Sequence, residues 1–195
     1  MTESASFVFD QIDTPIGELT IIADEKGAMR MLWFDGGDER PAAGRRKITS
    51  AEVGWRTAFE HRFPGATVTP RRNPFGHCST LNAYFKGDMD ALDRIPVVFG
   101  GTPFQNTVWK ALRRIPIGTT TSYGALAKKI GEPNAVRAVG LANGANPIGV
   151  VVPCHRVIGS DGSLTGYGGG LPRKKWLLEH EAKHCAKQFH LEASA

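Results

Sequence analysis

The chain has 195 residues, 41% of them hydrophobic and 22% charged, enough for one substantial core or two modest ones. No apolar run approaches the roughly 20 residues of a membrane span, and the opening Met1-Thr2-Glu3-Ser4-Ala5-Ser6 has neither the basic nor the apolar region of a secretion signal. The net charge of +5 is uneven: residues 1–100 carry 12 Lys/Arg against 14 Asp/Glu, residues 101–195 carry 12 against 5, so the second half is a basic unit of the kind that binds polyanions. Three cysteines, Cys78, Cys154 and Cys185, are too few and odd in number for a disulfide framework. They fit a reducing compartment, and a cytoplasmic location is expected.

Ser6–Gln11 and Glu18–Ala23 read as β-strands around the turn residues Thr14-Pro15-Ile16-Gly17. Lys26-Gly27 marks a second turn before Ala28–Phe34, so residues 6–35 predict a small antiparallel sheet. Residues 36–50 read as an exposed loop. Ala51–Phe63 has helical spacing through Val53, Trp55 and Phe59, and Pro64-Gly65 stops it. Arg71-Arg72-Asn73 reads as loop and Thr80–Phe85 as a short helix. Phe99-Gly100-Gly101-Thr102 reads as a linker, dividing the chain into residues 1–98, a linker 99–103 and residues 104–195.

Thr102 then suits a helix N-cap, Pro103 the first helical position and Gln105 the return bond of a capping box. Phe104, Val108, Leu112 and Ile115 recur at helical spacing as a core face, closed by Pro116-Ile117-Gly118. Thr121–Ile130 predicts a short helix ended by Gly131. Glu132-Pro133-Asn134 is a turn with Asn134 as N-cap, and Ala135–Asn143 is a second short helix. The pair has the helix-turn-helix pattern. Its second helix carries one charge, Arg137, among small residues, and direct base readout would need more Arg, Asn or Gln. Small residues allow close approach to a DNA backbone or narrow groove, with a single arginine left to insert. They equally permit tight helix packing.

Val150-Val151-Val152 predicts a buried strand that Pro153 ends. Cys154 and His155 follow at its exit, where a thiol beside an imidazole can become an activated nucleophile.

Several separate segments carry a family resemblance: Pro153-Cys154-His155-Arg156-Val157-Ile158-Gly159, Ala135–Gly140, Asn146-Pro147, Gly166–Leu171 and Trp176–Glu181, with Thr102–Gln105 through Ser122-Tyr123. In sequence and spacing over residues 102–181 the chain resembles the O6-alkylguanine-DNA alkyltransferases; the first half resembles them only loosely. The resemblance implies an α/β fold. A small mixed α/β N-terminal domain with an antiparallel sheet would precede a mostly helical, winged-helix-like C-terminal domain with the helix-turn-helix.

The resemblance also implies the chemistry. Cys154 accepts an alkyl group from O6-alkylguanine and is consumed; the sequence leaves open whether O4-alkylthymine is also a substrate. His155 takes the thiol proton, Glu181 orients His155, Tyr123 protonates the departing base, and Asn146 ties the helix-turn-helix to the active-site loop. Arg137 fills the space of the flipped base, with Ala135, Ala138, Asn143 and Tyr123 on the DNA face. Val157, Tyr167, Gly168 and Gly169 line the base pocket, and Lys174 is a basic position near it, although Arg173-Lys174-Lys175 alone would read as a solvated basic face. The alkyl group arrives on the substrate, so no cofactor is implied. The implied partner is double-stranded DNA with alkylated bases, for a monomer without membrane or obligate protein partners.

Two other chemistries fit parts of the sequence. His180-Glu181-Ala182-Lys183-His184 has the H-E-x-x-H spacing of zinc proteases, without an evident third ligand. A Cys-His pair also suits an acyl hydrolase. A lesion-binding protein without transfer is a third alternative, disfavoured by the presence of Cys154. No metal is expected, because only His61, His77 and Cys78 in the first half could serve a structural zinc.

Overall fold

In the computed structural model, which describes residues 5–34 and 54–192 with side chains as far as 185, β1 (Ser6–Thr14), β2 (Gly17–Asp24) and β3 (Met29–Phe34) form the expected antiparallel meander. Thr14 pairs with Gly17 across the first turn. At the second, Asp24 Oδ1 accepts from the N–H groups of Lys26 and Ala28, and Gly27 adopts φ 84°, a left-handed value that costs glycine little. The expected loop 36–50 and the start of the expected helix, residues 51–53, lie outside the described residues.

The sheet gains a fourth strand that the sequence did not announce. β4 (Thr67–Pro70) runs parallel to β1, giving the order β3-β2-β1-β4. It is short and ends on proline, as edge strands do. The sheet is covered on both faces, so β2 lacks polar alternation. Leu19 and Ile21 enter the large core, while Ile22 turns to a smaller one with Phe7, Met31, Trp55 and Phe59 beneath α1 (Trp55–Arg62). The other edge, β3, is capped by backbone from elsewhere. Met29 N–H donates to Pro96 O (2.8 Å), Val98 N–H to Met29 O (3.2 Å) and Leu32 N–H to Pro147 O (2.9 Å).

α2 (His77–Phe85) starts three residues before the expected Thr80. The turn Pro74–Gly76 launches it, with Asn73 and Phe75 at positive φ and Asp10 Oδ2 accepting from Asn73 N–H. α3 (Pro103–Leu112) opens on the predicted capping box: Gln105 N–H donates to Thr102 Oγ1 and Thr102 N–H to Gln105 Oε1. Val108 and Leu112 are buried in the helix, Ile115 is buried in the turn after it, and Phe104 is only partly buried.

β5 (Thr121–Ser122) takes the first residues expected to be helical and pairs in parallel with β6 (Val157–Ile158). Ser122 then caps α4 (Tyr123–Lys129), its Oγ accepting from Ala125 N–H. α5 (Val136–Gly144) is the second helix of the pair. Its flanking residue is Ala135, without a side-chain cap, so Asn134 is not the N-cap. The turn runs one residue further because Ala135 N–H donates to Glu132 O. α6 (Leu171–Glu192) closes the fold. The antiparallel sheet and the helical second part agree with the expected class. No helix among the described residues is long and apolar enough to cross a membrane.

Val150-Val151-Val152 is buried as expected but is not a strand. Val152 N–H bonds Ile148 O and Val151 N–H bonds Gly149 O, closing tight turns, and Val150 takes φ 68°. That is a costly conformation for a β-branched residue, sustained by complete burial. Prolines at 147 and 153 bracket the segment, and among the described residues its pairing with β3 stops at the single bridge from Ile148 to Leu32.

One core cluster joins residues of both halves, from Leu19 and Leu81 to Leu126 and Leu177. At its centre Trp109 of α3 is buried, and its Nε1–H donates to Ala142 O of α5 at 2.8 Å. Trp109→Phe keeps most of the apolar area but removes that donor. We predict a stability loss of about 1–3 kcal/mol, read as a lower urea midpoint at unchanged slope.

Candidate active site

The approach to the thiol is set by Asn146. Its Oδ1 accepts from Ile148 N–H (3.0 Å) and its Nδ2 donates to Val152 O (2.8 Å). One side chain thus braces the turn segment from both ends. Cys154 begins a short turn, Cys154–Arg156, and is buried. Asn143 on α5 reaches the Cys154 carbonyl with Nδ2 at 3.5 Å.

His155 is wholly buried, and its Nε2 lies 2.8 Å from Glu181 Oε1. Glu181, on α6, takes four more bonds. Arg156 Nε donates to Oε2 (2.9 Å) and its terminal nitrogen to Oε1 (2.8 Å). Tyr84 O–H donates to Oε1 (3.1 Å) and Gly118 N–H to Oε2 (3.3 Å). Burial alone opposes ionisation of Glu181, but the bonds and charges of His155 and Arg156 outweigh it and hold the carboxyl well below the usual carboxylate range. An ionised carboxylate only accepts, so His155 Nε2 carries the hydrogen and Nδ1 is left with a lone pair. Nδ1 is buried and has no hydrogen-bond partner among the described residues.

Burial pulls the His155 pKa down, against the pull of Glu181 upward, so the ring is neutral at pH 7. Burial likewise pushes the Cys154 thiol up, offset by the Asn146 side chain, the Lys174 charge and nearby backbone N–H groups. The resting pair is therefore thiol and neutral imidazole, with a lone pair on Nδ1 that can accept a proton.

Lys174 is not on a solvated face. It is fully buried, and Nζ donates to Val157 O (2.7 Å) and Thr165 O (2.6 Å). Burial lowers its pKa to about 8, opposed by the charge Cys154 carries when ionised. Thr165 Oγ1 in turn donates to Tyr123 O–H at 3.2 Å. A chain of contacts thus links Tyr123, the 159–170 loop, Lys174 and Val157, which is buried in β6. Tyr167 lies on this loop with its ring 6.4 Å from His155 and nearly perpendicular to it. Gly168 is exposed and Gly169 buried.

On α5, Arg137 and Ala138 are exposed and Ala135 beside the helix is partly so. Asn143 does not join that outer face: it is buried with Val139 and Ala142 along the inward stripe of the helix. Leu141, at 65% exposure, stands on the open side, with Val136 also exposed.

Arg156, Tyr84 and Gly118 were not foreseen as parts of the site. Arg156 lies within the Cys-His motif, which was the available signal. Tyr84 and Gly118 come from distant segments that nothing local marks. The H-E-x-x-H spacing does not assemble a metal site. His180 Nε2 faces Tyr84 O at 2.9 Å and stacks on Trp176, His184 Nδ1 faces His180 O, and Glu181 points to His155 and Arg156. Among the described residues no three His, Cys, Asp or Glu converge as metal ligands.

The family described as 6-O-methylguanine DNA methyltransferase, DNA binding domain, matches residues 103–183. A methylated-DNA–protein-cysteine methyltransferase of Shigella flexneri is 44% identical over 88% of this chain and 94% of its own length. One from Mycolicibacterium paratuberculosis is 43% identical over 92% and 95%. Among solved structures, Mycobacterium tuberculosis OGT in complex with DNA superposes with a TM-score of 0.68 at 40% identity, covering 92% of this chain and 94% of that one. With likeness of this degree over nearly the whole length, the chain belongs to the methylated-DNA–protein-cysteine methyltransferase family.

Proposed function

We propose that the protein repairs DNA by moving a methyl or larger alkyl group from O6 of guanine onto Cys154. The observation that carries this reading is a buried thiol beside a buried imidazole whose Nε2 is committed to an ionised carboxylate and whose Nδ1 is free to accept. His155 takes the Cys154 proton through Nδ1, directly or through a water, and Glu181 stabilises the imidazolium. The thiolate attacks the alkyl carbon in line: the C–S bond forms and the C–O bond breaks. Tyr123 gives its proton to the departing base, which leaves neutral. The product is a thioether that no neighbouring group can cleave, so each molecule acts once.

The lesion is inside a duplex and must be flipped out, at a cost of a few kcal/mol. Arg137 is placed by resemblance to fill the gap, from a helix whose exposed side carries Ala138 and whose first-turn N–H groups suit a phosphate. Asn146 holds the helix-turn-helix to the active-site turn, and Tyr167, Val157 and the Gly168-Gly169 backbone line the base pocket. Lys174 acts as a tie between the 159–170 loop and β6. We read residues 1–98 and 104–195 as two units joined by 99–103, working as a monomer on double-stranded DNA in the cytoplasm without a cofactor. Unpaired Cys78, Cys154 and Cys185 support that reducing location.

Incubation with an oligonucleotide containing O6-methylguanine should add one methyl to Cys154, read by intact and peptide mass. Cys154→Ser should gain nothing; an unmodified wild-type protein refutes transfer. Arg137→Ala should slow transfer from duplex by about tenfold or more while sparing free O6-benzylguanine, since only the duplex demands flipping. Equal loss on both removes that role.

Glu181 also sets an acid limit. Its folded pKa lies below the ordinary 4.5, so its stabilisation is complete above that pH and is lost as pH falls through the folded value. Denaturation midpoints should be level from neutral pH to about 5 and then drop. Glu181→Gln should cost about 3–5 kcal/mol at pH 7 by leaving Arg156 buried without its anion, and should flatten the acid decline.

A further inference from the structure

Tyr167 is held in place by shape alone. Its hydroxyl is buried without a hydrogen-bond partner among the described residues, so no polar tether fixes the ring. Its chain neighbours on either side, Gly166, Gly168, Gly169 and Gly170, add no side-chain packing. Whatever packs against the ring therefore decides where it stands.

Two rings flank it: His155 on the side of the thiol, and on the other a residue of the N-terminal sheet. Phe34, the last residue of β3, meets Tyr167 edge-on with centroids 5.8 Å apart. Phe34 is wedged between two backbone segments of the site. A Cβ placed on Gly149 would lie 3.2 Å from the Phe34 ring. One on Gly169 would lie 3.0 Å from Phe34 and 2.9 Å from Tyr167. Such spacing leaves no room for a methyl without displacing a ring. Arg173 covers the assembly: its guanidinium sits 5.3 Å from the Phe34 centroid and donates to Ile16 O (2.6 Å) and Gly169 O (3.0 Å). Leu32, two residues before Phe34, bonds Pro147 O in the segment leading to Cys154. The edge of β3 is thus locked in register with both walls of the site.

We propose that Phe34 is a positioning residue that sets how large an alkyl group the Cys154 site accepts, by fixing Tyr167 against the Gly166–Gly170 loop. The inference rests on the alkyl-transfer reading above. Removing the Phe34 ring opens space behind Tyr167, which can then retreat to admit a bulkier group. Methyl needs no such retreat, so the two substrates should respond differently.

The test compares rates of Cys154 modification by duplexes containing O6-methylguanine and O6-benzylguanine, followed by intact mass. Phe34→Ala should raise the benzyl-to-methyl rate ratio about tenfold, the low end of what a single methylene in an apolar pocket is worth. Phe34→Leu, a milder cut, should raise it less, and serves if the alanine variant does not fold. Gly169→Ala should lower the ratio, and Phe34→Ala added to it should restore it, a rescue that general loosening of the fold would not produce. A ratio within about twofold of wild type in the Phe34 variants, or a double variant no better than Gly169→Ala, overturns the role of Phe34. Wild-type protein that transfers neither group overturns the alkyl-transfer reading instead.

Discussion

A single buried carboxylate organises this molecule. Glu181 accepts from Tyr84 of α2, from the Gly118 backbone after α3, and from His155 and Arg156 of the reactive turn. A lone ionised carboxylate at that depth would cost several kcal/mol, and five donors with one full positive charge offset it. The Arg156 guanidinium also bonds Ile115 O at 2.6 Å, and Tyr84 reaches the carboxylate from 97 positions away. The His155 tautomer follows from this arrangement, and the chemistry follows from the tautomer. Stability and reactivity here share one ion pair.

The N-terminal sheet takes part in that economy through its edges. An exposed β3 would be a template for pairing with other chains. Instead its free edge is occupied by residues 96–98 and by Pro147. Covering the edge and registering the active-site segment are the same act. Arg173 repeats the theme from α6, bonding the Ile16 carbonyl on one side and the Gly169 carbonyl on the other.

Features governed by near neighbours were legible in the sequence. The Thr102–Gln105 capping box depends on four consecutive residues, and it formed. The hairpin turns and the helix-turn-helix pattern are similarly local. Val150–Val152 misled because β-branched residues signal burial, and burial alone does not separate a strand from a turn clamped between prolines. Asn134 looked like a cap because its side chain can cap, whereas the backbone bond from Ala135 to Glu132 decided the register. The Cys154-His155 pair was visible, but its carboxylate came only through family resemblance. Nothing in the sequence tells that Tyr84 reaches Glu181 across 97 positions. Asn143, placed on the DNA face by family resemblance, is instead claimed by the inward stripe through Val139 and Ala142.

The depth of Cys154 also bears on the cell's chemistry. Oxidation and adventitious alkylation select thiols that are ionised and exposed. This one is 5% exposed, and burial favours its protonated form. Both features shield it from small electrophiles and peroxides in the folded protein. On the single-use chemistry proposed above, such shielding would preserve the fraction of the population still able to act when a lesion is met.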